Sequence, residues 1–530
     1  MPPRTDTFFL IKKNFTIFAE LYEQIATGYV DAVNPETLMR TGIRAMLSTL
    51  DPYTQFFDEA DNEDIDIMTQ GQYGGIGVSV AHIKGKMVIM EVMEGYDAER
   101  KGLKVGDILV RIEDQEVDGL TPDEVSLLLR GDPGTQVRLM VQREGSTEPL
   151  HFTLTRARVH LKNVSYVDFL GGDTTSGIGY VRLERFAHHA ADEVRKAIQT
   201  LEGRGTLRGL ILDLRGNPGG LLGEAVQLAG LFVPRGSLIV STRGRLPESV
   251  QEYRSQKAPV FPDRPLVVLV DGRSASASEI VAGAVQDLDR GVVLGERTYG
   301  KGLVQIIRQL PYHTSLKMTT ARYYTPSGRC IQAVTYTHRE EDGYAVDVAD
   351  SLRKTFFTRG GRPVRDGGGI EPDVSIAQPS KSELERALEK EAAYFFFAGY
   401  YLGQHPELQE VHVNDDLLQA FIAWLDEQNF SYRLAAEKHF EALRQQLEAA
   451  GYERTDDELA MLYEEIEREK REDFKRYAER LKYRLEEAFL RRLYTPTERL
   501  RRKLPSDPFV KRASALITDE ERYREVLTKK

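Results

Sequence analysis

The sequence predicts a multidomain protein of the α+β class. At 530 residues the chain is too long for one compact core, so about three or more domains are expected. From about residue 71 short strands are punctuated by glycine, and between about 177 and 330 strands alternate with helices. Past Ser382 the chain becomes helical and heavily charged.

Residues 1–70 are predicted to be an N-terminal helical segment, with two helices between about 14 and 60. Phe15, Phe18 and Tyr22 recur at helical spacing. Asn34 followed by Pro35 indicates a helix start, because proline at the first helical position lacks an amide that would need a partner.

Residues 71–156 are predicted to form a small β-rich module with one clear helix. Strands are expected at 87–93, 108–112 and 137–142, and Thr121 is expected to open a helix over 122–129.

Residues 157–380 are predicted to form an α/β core. Its strands are expected at 178–183, 210–214, 266–270 and 292–294, and its helices at 190–201, 221–231 and 276–288. That alternation implies a largely parallel sheet covered by helices. Residues 331–370 are polar and glycine-rich and are expected to form loops with a hairpin.

Residues 381–530 are predicted to be a helical C-terminal domain. Ser382-x-x-Glu385 and Thr455-x-x-Glu458 both match the capping-box pattern at a helix start. Residues 456–494 contain no glycine or proline, which favours a single long helix.

Composition excludes some classes of function. A net charge of −11 argues against general binding to nucleic acid or anionic membranes, because phosphates would be repelled. With one cysteine, Cys330, no intramolecular disulfide can form. No apolar stretch of about 18 residues is present, and residues 8–11 are too short for a signal peptide. Composition leaves open both a cytoplasmic protein and one whose leader has been removed.

The segment 271–279, Asp-Gly-Arg-Ser-Ala-Ser-Ala-Ser-Glu, follows a buried strand and opens a helix. A hydroxyl at a helix N-terminus lies beside free backbone amides, which suits a nucleophile whose attack creates an oxyanion. The alternative is that Ser274, Ser276 and Ser278 are helix caps and small packing residues.

Two further motifs follow predicted strands. Lys301 lies between glycines in 300–305; it is either an exposed turn residue or a buried, neutral amine that can accept a proton. Gln305 could orient that amine. Residues 213–220, Asp-Leu-Arg-Gly-Asn-Pro-Gly-Gly, end in glycines that allow close approach of a ligand. All three motifs are expected at the carboxyl edge of the sheet, where α/β proteins bind ligands.

Other chemistries have little support. The ten histidines include no H-E-x-x-H pattern, so a zinc site is disfavoured. No G-x-S-x-G elbow occurs, and Lys301 is not part of a phosphate-binding G-x-x-x-x-G-K-[ST] loop.

Taken together, these motifs resemble the carboxyl-terminal processing peptidases, or tail-specific proteases. The resemblance also includes residues 295–305, 324–332 (Tyr-Thr-Pro-Ser-Gly-Arg-Cys-Ile-Gln) and 368–374. It implies Ser276 as nucleophile, Lys301 as general base and Gln305 as its support. It further implies backbone oxyanion donors at Ala277 and at Gly219 or Gly220, and a helpful acid at Asp287.

The module at 71–156 resembles a PDZ domain. The resemblance implies that the turn Gly75, Ile76, Gly77 and Val78 holds the carboxylate of a substrate tail. A bound tail would add a strand to the edge of the sheet. The alternative is that a glycine-rich turn is only a turn.

The sequence therefore predicts a serine endopeptidase that binds free C-terminal tails of proteins or peptides and needs no metal or nucleotide cofactor. The resemblance also implies a crotonase-like core and an extracytoplasmic, periplasmic location. Two alternatives are a catalytically silent PDZ scaffold and a crotonase-type acyl-transfer enzyme. The helical domain is expected to be structural, and its segments could join two copies in a homodimer.

Overall fold

The computed structural model describes residues 4–58, 65, 67, 69–339, 345–347, 349–376, 379–451 and 456–528. The chain forms two compact units. The first comprises Met1–Gln70, Val167–Ile376 and Arg512–Lys530, and the second comprises Gly71–Tyr166 and Ala377–Lys511. No helix among the described residues is long and apolar enough to span a bilayer.

The N-terminal segment contains helices α1 (Arg4–Gly28) and α2 (Pro35–Ser48) and strand β1 (Gln55–Phe57). The first helix begins earlier than expected. Asn34 caps α2 as predicted, because its side-chain oxygen accepts a hydrogen bond from the amide of Thr37 at 3.1 Å.

The β-rich module contains eight strands and two helices. In chain order they are β2 (Gln72–Gly75), β3 (Val78–Ile83), β4 (Lys86–Val92), α3 (Asp97–Arg100), β5 (Ile108–Ile112), β6 (Gln115–Glu116), α4 (Pro122–Leu129), β7 (Gln136–Gln142), β8 (Leu150–Thr155) and β9 (Ala157–His160). Antiparallel strands follow the order β3-β4-β5-β7-β8, so β3 is an edge strand. Thr121 and Glu124 cap α4 reciprocally, as predicted.

The core of the first unit is a six-stranded sheet with three main helices. Along this stretch the elements are β10 (Val164–Phe169), β11 (Ile178–Leu183), α5 (Ala190–Arg204), β12 (Gly209–Asp213), α6 (Leu222–Ala229), β13 (Leu238–Gly244), β14 (Gln251–Arg254), β15 (Leu266–Val270), α7 (Ala277–Asp287) and β16 (Val292–Gly295), of which β13 and β14 belong to a second sheet. The sheet order is β10-β11-β12-β15-β16 followed by β23 (Val374–Ser375), and the pairs from β11 to β23 are parallel. The predicted parallel sheet is confirmed. Strand β15, Leu-Val-Val-Leu-Val, is buried throughout, as expected of a strand covered on both faces.

A second, antiparallel sheet lies beside this core in the same unit. It adds β17 (Leu303–Gln309) and β18 (Ser315–Tyr324), and β18 pairs with β1, β13 and β17. Two hairpins follow, β19 (Val334–Arg339) with β20 (Ala345–Asp347) and β21 (Thr355–Phe357) with β22 (Pro363–Arg365). One hairpin was expected over 331–370.

The C-terminal region is helical, as predicted. Its helices are α8 (Glu383–Lys390), α9 (Ala393–Gln404), α10 (Asp415–Glu427), α11 (Ala435–Ala449), α12 (Asp456–Arg476), α13 (Ala478–Leu493), α14 (Pro496–Lys503), α15 (Pro508–Thr518) and α16 (Glu520–Thr528). Ser382 and Glu385 form the predicted capping box, whereas Thr455 lies outside the described residues.

The prediction of one helix over 456–494 is wrong. The chain breaks at Tyr477, whose ψ of 13° is not helical, and continues as α13. The apolar stripe of α13 (Leu481, Leu485 and Phe489) is buried against aromatic side chains of α9 and α10. Burial of that stripe accounts for the interruption of the helix at Tyr477, which occurs without a glycine or proline.

Candidate active site

Ser276 lies at the start of α7, directly after the loop that follows β15. Its backbone has φ 54° and ψ −109°, a conformation that non-glycine residues adopt at a cost of roughly 1–3 kcal/mol. Three bonds hold it there. The Ser276 amide donates to Glu279 Oε2 at 2.8 Å, and its carbonyl accepts from the Tyr323 hydroxyl at 3.2 Å and from the Ile280 amide at 2.9 Å.

The three serines of the motif have different environments. The buried hydroxyl of Ser274 donates to the carbonyl of Leu214 at 2.8 Å, and that of Ser278 donates to the carbonyl of Asn217 at 3.0 Å. Ser276 is partly exposed, and its hydroxyl has no hydrogen-bond partner among the described residues. Ser274 and Ser278 therefore fill structural positions, and Ser276 alone has a hydroxyl available for chemistry.

Glu279 links the serine and lysine motifs. Its fully buried carboxylate accepts from the amides of Ser276 (2.8 Å) and Lys301 (2.9 Å) on the same oxygen. The second oxygen accepts from the Gly300 amide (2.7 Å) and the Thr298 hydroxyl (2.6 Å). Burial raises the pKa of Glu279, and the four donors oppose that shift. The backbone amides of Ser276 and Lys301 thus share one acceptor, Oε2 of Glu279.

Lys301 is half-buried in the loop between β16 and β17, so it is not an ordinary exposed turn residue. Its amine lies 4.2 Å from the centre of the Tyr53 ring. Burial, together with the positive charge of Lys317, lowers the pKa of Lys301 to about 8, although Glu279 and Asp51 act in the opposite direction. A lysine with this pKa has an appreciable neutral fraction near neutral pH.

Gln305 lies on β17, four residues after Lys301. Its side-chain amide donates to the hydroxyl of Thr319 on β18 at 3.1 Å. This bond fixes the orientation of Gln305 on the strand that follows the Lys301 loop, and no hydrogen bond joins Gln305 to the Lys301 amine among the described residues.

The loop 213–220 packs against the serine loop through Asn217. The Asn217 carbonyl accepts from the Ala275 amide at 3.0 Å, and its side chain donates to the carbonyl of Leu183 at 2.9 Å. Asp213, at the start of the loop, is fully buried with Arg182 and Arg215, and their guanidinium groups keep its pKa low despite the burial. The predicted convergence of this loop with the serine motif is therefore present.

Gly219 has φ +100° and lies directly against the serine. A Cβ atom there would be 2.9 Å from Ser276 Cβ and 2.7 Å from the carbonyl oxygen of Ala275, so only glycine fits. The Gly219 amide donates to the Asn217 side chain at 2.9 Å. The amides of Gly220 and Ala277, in contrast, have no acceptor among the described residues.

Asp287 lies at the opposite end of α7 from Ser276, roughly 16 Å along the helix axis. It is buried, and Arg329 donates to it at 2.7 Å. Thr325 and Ser327 also donate to it. These contacts attach the segment 324–332 to α7. Because Asp287 lies this far from Ser276, its contacts are structural.

The turn of the β-rich module precedes edge strand β3, against which α4 packs. Gly77 has φ +77°, and its carbonyl accepts from the Met93 amide at 2.8 Å. The Ile76 side chain is 2% exposed and belongs to the core of the module, whereas Val78 is only partly buried. The turn thus has its backbone beside the open edge of the sheet.

Sequence reasoning assigned no role to Glu279 or Tyr53. For Glu279 a signal was present, because Ser276-x-x-Glu279 matches the capping-box pattern, in which the carboxylate reaches back to the first amide. No local signal connects Tyr53 with Lys301, which is remote in sequence.

Comparison with known proteins identifies the family and the domains of the chain. Peptidase family S41 matches residues 177–339, a PDZ domain matches 88–143, and the C-terminal helical domain of a probable PDZ-protease matches 384–517. A carboxy-terminal-processing protease of Bartonella bacilliformis is 35% identical over 61% of this chain and 74% of that protein. A carboxyl-terminal-processing protease of Synechocystis is 37% identical over 54% of this chain and 66% of that protein.

Among solved structures, a photosystem II D1 C-terminal processing protease is 27% identical, covering 71% of this chain and 95% of that chain with a TM-score of 0.38. The resemblance seen in the sequence is confirmed by the curated relatives and the domain matches together. The chain belongs to peptidase family S41, the carboxy-terminal-processing serine proteases, and carries the PDZ domain and helical C-terminal domain found with them.

Proposed function

We propose that the chain is an endopeptidase that cleaves through an acyl-enzyme, with Ser276 as nucleophile and Lys301 as general base. One observation supports this most directly. Ser276 is the serine of its motif with an unengaged hydroxyl, and its amide shares one oxygen of Glu279 with the amide of Lys301. The backbone nitrogen atoms of Ser276 and Lys301 can therefore be no further apart than the sum of those two hydrogen-bond distances.

In the proposed reaction the neutral Lys301 amine takes the proton of the Ser276 hydroxyl as Oγ attacks the peptide carbonyl. The resulting oxyanion accepts from the free amides of Ala277 and Gly220. Gly220 fits this role better than Gly219, whose amide is already bonded to Asn217. The Lys301 ammonium then protonates the departing amine, and water hydrolyses the ester with Lys301 again as base.

We also propose that the PDZ domain binds the free C-terminus of the substrate. The backbone of residues 75–78 would hold the carboxylate, and the tail would pair with edge strand β3. Support comes from the turn at Gly77 and from the position of α4 beside β3.

The test is cleavage of an unfolded protein with a free or an amidated C-terminus. Ser276→Ala and Lys301→Ala should each lower turnover by several orders of magnitude, and the double variant by little more. Ser278→Ala is the matched control, expected to lose stability but keep the chemistry. If the Ser276→Ala variant cleaved at the wild-type rate, the proposed Ser276/Lys301 dyad would be ruled out. A catalytically silent scaffold would cleave neither the free nor the amidated substrate. Equal rates for both tails would contradict tail recognition.

An extracytoplasmic location and a homodimer formed through helical segments stay predictions. The bacterial sources of the relatives are compatible with the first.

A further inference from the structure

Tyr323 of β18 is one of the largest fully buried side chains of the protein. Its hydroxyl donates to the carbonyl of Ser276 at 3.2 Å, at the start of α7. The other donor to that carbonyl among the described residues is the amide of Ile280, which belongs to α7 itself. In this part of the chain Tyr323 therefore supplies the bond that holds the Ser276 carbonyl from outside the helix.

The same tyrosine also holds the lysine loop, through its main chain. The Tyr323 amide donates to the carbonyl of Gly302 at 3.0 Å. Gly302 directly follows Lys301 and precedes β17, which pairs with β18. Tyr323 is thus bonded to both motifs, with its side chain to the serine and with its backbone to the residue after the lysine.

The bond to Ser276 acts on a backbone that needs support. Ser276 has φ 54° and ψ −109°, and a residue keeps such a conformation only where its surroundings hold it. Glu279 holds the amide of Ser276, while Ile280 and Tyr323 hold the carbonyl. A change in ψ turns that carbonyl and moves Cβ and Oγ of Ser276 relative to α7. Loss of the Tyr323 bond therefore allows the hydroxyl of Ser276 to shift.

The Tyr323 hydroxyl is suited to donating this bond. Burial, and secondly the neighbouring ionisable groups of Glu279 and Cys330, raise the pKa of Tyr323 well above its ordinary value. The phenol consequently keeps its proton throughout the pH range in which a peptidase is assayed. It remains a neutral donor to the Ser276 carbonyl and does not compete with Lys301 as a base.

We propose that Tyr323 is a positioning residue of the proteolytic reaction, whose hydroxyl holds the Ser276 carbonyl and thereby keeps Oγ oriented for attack. Tyr323 is 1% exposed, so it acts through Ser276 and not by touching the substrate. The inference rests on the proposed role of Ser276 as nucleophile.

The test is steady-state cleavage of an unfolded protein by Tyr323→Phe over a range of pH. This variant loses the hydroxyl but keeps the ring and the amide bond to Gly302. We expect kcat to fall about tenfold or more at every pH, because a displaced nucleophile is less often aligned for attack. KM and the position of the acid limb should stay near their wild-type values, because neither substrate binding nor Lys301 is altered.

Tyr523→Phe is the matched control for loss of a buried hydroxyl. The Tyr523 hydroxyl is bonded to the backbone of Leu266, at the end of β15 remote from the serine loop. This variant should lose stability in thermal unfolding and keep the wild-type kcat. A merely structural role of Tyr323 would give the two variants the same result, with kcat per folded molecule unchanged.

A second pair of variants keeps the volume of the tyrosine. At position 323, para-aminophenylalanine retains a donor and para-methylphenylalanine does not. The first should keep kcat within about threefold of wild type, and the second should match Tyr323→Phe. Equal kcat values in this pair, or wild-type kcat in Tyr323→Phe, would overturn the inference. If Ser276→Ala is inactive in the same assay, the proposed function survives that result; if Ser276→Ala cleaves at the wild-type rate, the proposed function itself fails.

Discussion

At Lys301, burial has a cost that the fold must offset. The surroundings lower the pKa of this amine from 10.5 to about 8, so below that pH the folded state holds a partly desolvated ammonium. In the unfolded chain the same group is fully hydrated. This penalty lowers the free energy of unfolding by its full amount below a pH of about 8. It decreases as the Lys301 amine of the folded state loses its proton, and it vanishes above the pKa that the amine has in the unfolded chain.

Lys301→Met should therefore stabilise the protein at pH 7 by on the order of 1–3 kcal/mol while abolishing cleavage. The advantage should shrink between pH of about 8 and about 10.5. Chemical denaturation at several pH values measures it, and Lys257→Met, at an exposed lysine, should stay within about 0.5 kcal/mol of wild type. A less stable Lys301→Met protein at pH 7 would contradict the burial cost.

The turn before β3 combines a positive φ at Gly77 with close packing of that residue against Tyr96. Gly77 and Gly85 have nearly equal φ values, +77° and +76°, on either side of the same strand. A Cβ atom at Gly77 would lie 2.8 Å from Tyr96 Cβ, whereas one at Gly85 has open space. The two positions therefore share backbone strain and differ only in what an added methyl group would touch.

Gly77→Ala should weaken binding of a free-tailed peptide at least about tenfold, because the turn must shift and each proposed hydrogen bond to the charged carboxylate would contribute roughly 1.5–3 kcal/mol. Gly85→Ala should cost about 1–2 kcal/mol of stability from the left-handed backbone and leave binding unchanged. Peptide titration into the Ser276→Ala protein measures both. Equal affinities of the two variants would indicate that the turn does not hold the tail.

Within the second unit, a half-buried arginine, Arg492, contacts both the PDZ domain and the helical domain. Arg492 of α13 donates to the carbonyls of Val105 (3.2 Å) and Phe395 (2.9 Å), and its guanidinium lies 4.2 Å from the centre of the Phe395 ring. Burial lowers its pKa to about 10. Gly399 of α9 leaves the space for it, since a Cβ atom there would be 2.7 Å from Arg492 Cζ.

Gly399→Ala should displace this guanidinium, and Gly403→Ala, one turn later on α9, provides the control because its nearest neighbour would be at 3.6 Å. We expect Gly399→Ala to be less stable than Gly403→Ala by about 1–3 kcal/mol, the cost of unpaired buried groups. Thermal unfolding measures the difference. Equal stabilities would show that Arg492 relocates freely and does not hold the two domains together.

Local sequence determined many elements to the residue. β5, α4, β11 and β15 have the predicted ends, because turn residues, a capping box and runs of β-branched residues act within a few positions. The order of the motifs along the chain was also sufficient to indicate the family. These signals depend only on neighbours in sequence.

Tertiary structure decided what the motifs do together. It gave Ser274 and Ser278 buried carbonyl partners and left Ser276, the serine that the family resemblance implied, partly exposed, and it joined Ser276 to Lys301 through Glu279. It also placed Tyr53 on Lys301 and broke the long helix at Tyr477. Each outcome depends on burial and on hydrogen bonds between segments remote in sequence, for which no local pattern exists.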